Sequence, residues 1–294
     1  MKPSKIPSLA AHTLQQATSG NLAAIDEILL GIEPGIYNPA VRMLGNRDDA
    51  ADATQEILLK VLTHLGSFRS EAAFSIWVFQ VAKNHLLTTA TRAREHPEIS
   101  LESMQERLGQ GLEFHAQQTP VFGGGQSLLP EDKAEARQVA LACTQNMLMT
   151  LDREHRLAYV LDTVFALPGK EAAEVAGVTP EAYRQRLSRA HAKLNPFAQA
   201  TCGLANVDTA CRCERQLPAT RHLRSTGRSS LSVIAIHRAE RDEAERHFDA
   251  LVRMSDAAAL FRAHPEYQAP ETLRGAIRAV LRSEGYWPQE RPLH

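Results

Sequence analysis

The side chains with chemical reach lie in two stretches about 80 residues apart. The first sets Phe68, Phe74, Trp77 and Phe79 beside Arg69, Lys83, Arg92 and Arg94, with Ser70 and Asn84 among them. Aromatics interleaved with cations make a platform for unpaired bases, where stacking contributes roughly 1–3 kcal/mol per base. Phe68-Arg69-Ser70, before the helix, is a loop that could shape a pocket for one extruded base. The plainer reading is packing, with Trp77 and Val81 filling a core against Ile57, Val61 and Leu65.

The second stretch, Leu151 to Leu194, reads as helix, tight turn, basic helix. Thr179 is placed to cap the last helix, Pro180 suits its first position, and Glu181 suits the positive end of its dipole. Tyr183, Leu187, Ala190 and Leu194 form one inward stripe, which turns Arg184, Gln185, Ser188, Arg189 and Lys193 outward. Arg and Gln can bond base edges in the major groove, and Lys and Ser suit phosphates. Glu171 to Val178, with small residues and Gly177 at the turn, completes a helix-turn-helix pattern. An amphipathic helical hairpin with a solvated basic face would carry the same charges.

A third group is Cys202, Cys211 and Cys213. Thiolates are soft ligands, so zinc is a possible cofactor, with His191 or His222 closing a fourth position. Neighbouring arginines would instead favour a redox role by lowering thiol pKa values, and three free thiols in a packed turn is the third reading. Cys143, at helical spacing from Val139 and Met147, reads as core.

The elements that must position these groups are helical. The periodicity predicts helices over Leu14–Leu30, Asn38–Leu44, Asp48–Leu65, Glu71–Arg94, Glu131–Thr150, Asp152–Phe165, Lys170–Ala176 and Pro180–Leu194, the last stopped by Pro196. Residues 95–130, with Pro97, Pro120 and Gly123-Gly124-Gly125, read as a flexible linker. Beyond Pro196 lie the cysteines, an arginine-rich stretch (Arg212, Arg215, Arg221, Arg224, Arg228) suited to DNA phosphates, to the acidic face of a partner or to solvent, and helices over Ile236–Ala263 and Pro270–Glu284 that could pair as a regulatory hairpin, either alone or onto the DNA-binding domains.

Composition sets limits. The 294 residues suffice for about two domains and carry a net charge of −1, so nucleic-acid binding must come from local patches. No apolar run is long enough for a membrane span, the first residues lack the pattern of a signal peptide, and four cysteines do not make a secreted disulfide framework, so a cytoplasmic location is expected. No His-Glu-x-x-His or Gly-x-Ser-x-Gly occurs, and no Gly-Lys-Ser/Thr follows the glycine run, so an enzyme is not expected.

Together, Asp48–Glu56, Ser67–Trp77, Val81–Asn84 and Leu151–Leu194 resemble the sigma-70 family of RNA polymerase initiation factors, in its extracytoplasmic-function (ECF) group. The resemblance implies an all-α fold with region two over residues 10–95, a flexible linker over 96–130, region four over 131–196 and a C-terminal extension over 197–294. It implies that Asp52, Gln55 and Glu56 face the β′ clamp helices of core polymerase, with the β flap and promoter DNA as further partners and an anti-sigma factor as a possible one. Phe68, Arg69, Ser70, Trp77, Lys83 and Asn84 would engage the minus-ten element. Arg184, Gln185, Arg186, Ser188 and Arg189 would approach the minus-thirty-five groove, helical phase turning Arg186 aside. Ala182-Tyr183-Arg184 stands where the family usually has Thr-Val-Lys, and Leu167-Pro168-Gly169-Lys170 where it usually has Leu-Ser-Tyr-Glu. Two other classes fit parts of the pattern: a metal- or redox-sensing helical regulator, and a free-standing helix-turn-helix regulator that binds duplex DNA without polymerase.

Overall fold

Ser19-Gly20-Asn21 divides what periodicity alone reads as one helix. Gly20 takes φ +83° and the Asn21 side chain accepts a hydrogen bond from the Ala24 amide at 3.1 Å, so α1 (Ala11–Thr18) ends and α2 (Leu22–Leu44) begins. The computed structural model describes residues 6, 7, 9–68, 73–88, 100–118, 129–226, 257–262 and 264–283. Among them the secondary structure is helical and no strand occurs.

Helix α2 runs through both Pro34 and Pro39, where the sequence predicted a break. Each interior proline costs about 3 kcal/mol, but burying a large aliphatic side chain returns roughly 1.5–3 kcal/mol. Here Ile28, Leu29, Ile32, Ile36, Tyr37 and Val41 are all buried. The Asn38 side chain also donates back to the Pro34 carbonyl at 3.1 Å. Left-handed Gly45 ends α2, and Asn46 caps α3 (Arg47–Thr63) by accepting from the Asp48 and Asp49 amides at 2.8 and 3.1 Å. Ala50, Thr54, Ile57, Leu58 and Val61 give α3 its buried face.

The chain folds as two compact units, each drawn from separate stretches of sequence. One comprises Met1–Thr91, Leu167–Tyr183 and Glu266–His294. In it α2 packs on α1 and α3, α4 (Phe74–Thr88) packs on α3 and on α8 (Gly169–Ala176), and α12 (Thr272–Ser283) packs on α3. The other comprises Arg92–Ala166 and Arg184–Pro265. It contains α5 (Leu101–Gln118), α6 (Pro130–Met149), α7 (Arg153–Tyr159) with a wider π turn over Val160–Val164, most of α9 (Pro180–Thr201), a 3-10 turn over Cys213–Gln216, α10 (Leu217–Ser225) and α11 (Ala257–Arg262).

Three sequence expectations are corrected here. Leu101–Gln118, inside the expected slack linker, is an 18-residue helix that packs on α10 and on the 3-10 turn. Helix α9 does not stop at Pro196 but continues to Thr201, because Phe197 and Ala198 just beyond the proline are buried. In the tail, α11 packs on α6 and the π turn, whereas α12 packs on α3, so each helix finds its partners in its own unit. Most of the expected helix Ile236–Ala263, with Gly123–Gly125, Arg92, Arg94 and Arg228, lies outside the described residues.

Candidate nucleic-acid interface

Helix α4 is apolar around most of its circumference, and the structure sorts its residues by depth. Phe74, Ile76, Val78, Phe79 and Ala82 are buried, while Trp77 and Val81 are half-buried. Trp77 is therefore not a core residue. It joins Phe68 and Phe74 in a three-ring cluster, with centroids 5.4 Å (Phe68–Phe74), 5.5 Å (Phe68–Trp77) and 5.9 Å (Phe74–Trp77) apart. Edge-to-face and offset contacts of this kind fix ring orientation, and both Phe68 and Trp77 keep part of their surface open. Asn84 is exposed further along the helix, and Lys83 is half-buried. Arg69 and Ser70 lie outside the described residues.

On α3, Asp52 and Glu56 are exposed and Gln55 is half-buried, so the three form one solvent-facing edge beside the buried stripe. Behind that edge His85 is buried and its Nδ1 lies 3.0 Å from Lys60 Nζ. Desolvation first, then the Lys60 charge, push the His85 pKa below its usual value against the opposing pull of Glu56. The imidazole is thus neutral, and Lys60 donates to it.

The helix-turn-helix forms as the sequence predicted. Gly177 ends α8 at φ +71°, a conformation that disfavours any side chain. The Val178 amide donates to Ala173 O at 3.1 Å, and Thr179 Oγ1 accepts from the Ala182 amide at 3.2 Å. Tyr183, Ala190 and Leu194 are buried and Leu187 is half-buried. Opposite them Arg184, Gln185, Ser188 and Arg189 lie on the outward face. Arg186 is half-buried and ion-paired with Glu154 at 2.7 Å, so it stands apart from the reading face. Lys193 donates to the Thr150 carbonyl at 2.6 Å, satisfying the C-terminus of α6.

Within the first unit, α8 covers part of α4. Gln80 Nε2 donates to the Glu174 carbonyl at 3.2 Å, and Lys83 Nζ lies beside Gly177, 3.1 Å from where a Cβ would stand. No local pattern signals this contact, since it joins residues 94 positions apart.

The same unit is locked by the tail. Asn38 Nδ2 donates to Tyr267 O at 3.0 Å, and the Tyr267 amide donates to Asn38 Oδ1 at 2.7 Å, both buried. Arg47 donates to Gln268 O, and Arg274 and Arg278 pair with Glu33 and Asp26, at 2.8–3.0 Å. Burial raises the Glu33 pKa more than Arg274 lowers it. With α12 seated on α3, Asp52 and Glu56 still face solvent.

The cysteines form a separate centre in the second unit. Cys143 of α6, Cys202 at the end of α9, Cys211 and Cys213 all line one small cavity. None is in a disulfide. Burial pushes the Cys143, Cys211 and Cys213 thiols up, and proximity to the other cysteines pushes each further. The expected arginine-lowered thiols are therefore a correction: the Arg212 charge ranks below burial as an influence on Cys211. The arginines are engaged otherwise. Arg212 donates to the Thr209, Cys211 and Val207 carbonyls, Arg215 to Ala210 O, and Arg221 and Arg224 pair with Asp132 and Glu135. Among the described residues no group of three or more His, Cys, Asp or Glu side chains is placed so that it could hold a metal ion.

An all-α chain carrying a capped helix-turn-helix and an open aromatic edge on a separate helix is a nucleic-acid-binding protein in design. Residues 32–95 match the Sigma-70 region 2 family. The chain is 27% identical over 177 residues to the ECF RNA polymerase sigma factor SigW of Bacillus subtilis, covering 60% of this chain and 89% of that one. It is 27% identical over 186 residues to the ECF RNA polymerase sigma factor SigM of Mycobacterium tuberculosis, covering 63% and 80%. Among solved structures it is similar to CnrH in complex with the cytosolic domain of CnrY, at 21% identity and a TM-score of 0.42 over 64% of this chain and 96% of that one. Over residues 32–95 the chain thus carries a Sigma-70 region 2 domain, and over about 60% of its length it is similar to ECF sigma factors. The proteins it resembles are transcription initiation factors and not enzymes.

Proposed function

We propose that this chain binds core RNA polymerase, brings it to promoters with two short elements, and stabilises strand separation at the upstream edge of the bubble. The observation that carries the reading is the pairing of an open aromatic cluster, Phe68–Phe74–Trp77, with a separate basic helix face, Arg184, Gln185, Ser188 and Arg189. Stacking suits unpaired bases and the basic face suits the duplex groove. Asp52, Gln55 and Glu56 are the contact edge for the β′ clamp helices, and region four meets the β flap. Trp77, Lys83 and Asn84, with Phe68, Arg69 and Ser70, form the minus-ten surface. Arg186 is left out of the minus-thirty-five set because Glu154 holds it. An anti-sigma factor is a further candidate partner, and the site of action is the cytoplasm, where polymerase works. Among the described residues no helix is long and apolar enough to cross a membrane.

Reconstituted transcription tests this. Trp77→Ala with Asn84→Ala should leave holoenzyme assembly intact and lower permanganate-detected promoter opening by about 10-fold or more, which is the loss of one stacked base. Undiminished opening would refute the assignment. Tight promoter binding by the chain without polymerase would favour a free-standing regulator instead.

A further inference from the structure

Three helices of the second unit, α5, α6 and α10, enclose a cavity of about 230 Å³. Met104, Leu108 and Gly111 of α5 line it at i, i+4 and i+7, and Val139, Cys143 and Asn146 of α6 line it at the same spacing. A helix normally closes on its partners along such a stripe. Helix α5 does so only in part, since Met104 and Gly111 alone of its 18 residues are buried. Its approach is set at Gly111, where a Cβ would overlap the Gln216 side chain. Gln216 Nε2 in turn donates to Leu108 O at 3.0 Å. The helix is thus pinned at the 3-10 turn and roofs a space beside it.

The walls are mostly apolar, with one polar group set among them. Asn146 is 2% exposed, and among the described residues no donor reaches its Oδ1. A buried carbonyl without a donor is costly, and an aliphatic residue of similar size at that point of the stripe would avoid the cost. A water there would have few further partners. The Thr220 hydroxyl donates to Gln216 O and the Gln216 amide to Leu108 O, whereas a buried water needs two to four partners. Arg107 and His222 also line the cavity, and among the described residues no Asp or Glu does, so a cation would find no counter-charge. The Phe114 and His222 rings stand 5.2 Å apart at 32°, and the Met104 thioether favours aromatic contacts.

We propose that this cavity binds a small, flat, neutral aromatic molecule whose single N–H or O–H donates to Asn146 Oδ1. An apolar cavity of about 150 Å³ holds benzene, and by proportion this one holds about nine non-hydrogen atoms. Such a ligand satisfies the Asn146 carbonyl and gives the apolar walls the dispersion contacts that a void would forfeit. It also touches α5, α6 and α10 at once, so it holds α5 more firmly than the few buried residues of that helix do. The site lies wholly in the second unit and does not rest on promoter recognition.

The test is calorimetric titration of the full-length chain with indole and with benzofuran. Indole has the required size and one N–H donor; benzofuran matches its shape but carries an oxygen in place of the N–H. Indole should bind at one site per chain with a dissociation constant below about 1 mM, and benzofuran about 2- to 10-fold more weakly. Asn146→Leu should bind the two compounds alike. Ala219→Phe, which fills the cavity from α10, should bind neither. Saturation with indole should slow amide hydrogen exchange across Leu101–Gln118. Should either variant not fold, the comparison of the two compounds and the exchange of α5 in the unaltered chain still decide the matter. No indole binding below about 1 mM, equal affinity for both compounds in the unaltered chain, exchange of α5 unchanged at saturation, a preference for indole that survives in Asn146→Leu, or undiminished binding by Ala219→Phe would each overturn the proposal.

Discussion

Asn38→Ala measures how far the tail holds the first unit together. Asn38 makes a reciprocal pair of hydrogen bonds with the backbone of Tyr267, at 3.0 and 2.7 Å, inside the protein. Its removal leaves one buried N–H and one buried carbonyl of Tyr267 without that partner. Each such group costs about 1–3 kcal/mol, so the variant should lose about 2–6 kcal/mol of unfolding free energy. Asn38 also donates to Pro34 O at 3.1 Å and accepts from Arg42 at 3.3 Å, which adds a cost unrelated to the tail. The two parts separate in a cycle. Urea denaturation is measured for the full chain and for a chain ended at Pro265, each with and without the Asn38→Ala substitution. In the shortened chain the substitution should cost only about 1 kcal/mol, the worth of the remaining contacts. Equal costs in the two backgrounds would refute the claim that residue 267 is bound to α2. Because Asp52 and Glu56 stay exposed under the docked tail, the shortened chain should also be less stable and no better at binding core polymerase. A gain in polymerase affinity would show that the tail masks the helix and does not brace it.

Three further outcomes are expected. Arg189→Ala should weaken holoenzyme binding at the minus-thirty-five element and lower the salt slope by about one unit, whereas Arg186→Ala, which breaks the Glu154 pair, should change stability by about 0.2–1 kcal/mol and promoter binding little; equal effects in DNA binding would contradict the division of the two arginines. Stability should be full above the usual His85 pKa of 6.5 and fall as pH drops below it, because the folded protein holds this imidazole neutral while the unfolded chain takes up the proton; His85→Gln should flatten that part of the pH–stability curve, and an unchanged curve would count against the assignment. A Cβ at Gly203 would overlap the Cys211 carbonyl and the Arg212 guanidinium, so Gly203→Ala should destabilise the second unit by about 1–3 kcal/mol through overpacking and open the cysteines to alkylation; wild-type thiol reactivity would show that the close approach at Gly203 is dispensable.

Much of the helical framework was legible because its signals are local. Asn46, Thr179 and Gly177 are caps whose partners lie within about one helical turn or the next, so α3, α8 and α9 can be placed from sequence. Arg186 stays in the groove-facing set by sequence, although helical phase turns it aside, and only the structure shows its pair with Glu154. What could not be read depends on burial supplied from far away. Pro34, Pro39 and Pro196 are breakers by their own chemistry and become tolerable only where neighbours such as Ile36, Val41 and Ala198 are enclosed by other helices. The Asn21 cap was readable but was hidden by a hydrophobic period that continued across it. Helix α5 has few buried residues, and its place against Gln216 is set from 108 positions away. Cys143 looked like core because helical spacing reports which way a side chain points, not which other segments arrive there.

The first unit closes only with the segment that holds Tyr267 and α12, roughly 190 residues after the end of its N-terminal stretch. At synthesis rates of about 5–20 residues per second, helices α1 to α4 wait on the order of 10–40 s on the ribosome before their last partner arrives. During that interval the surface that α12 will cover is open to water. A nascent chain of this design is thus exposed to chaperones and proteases for longer than its N-terminal position would suggest, and an interruption late in translation would leave its earliest helices unfinished.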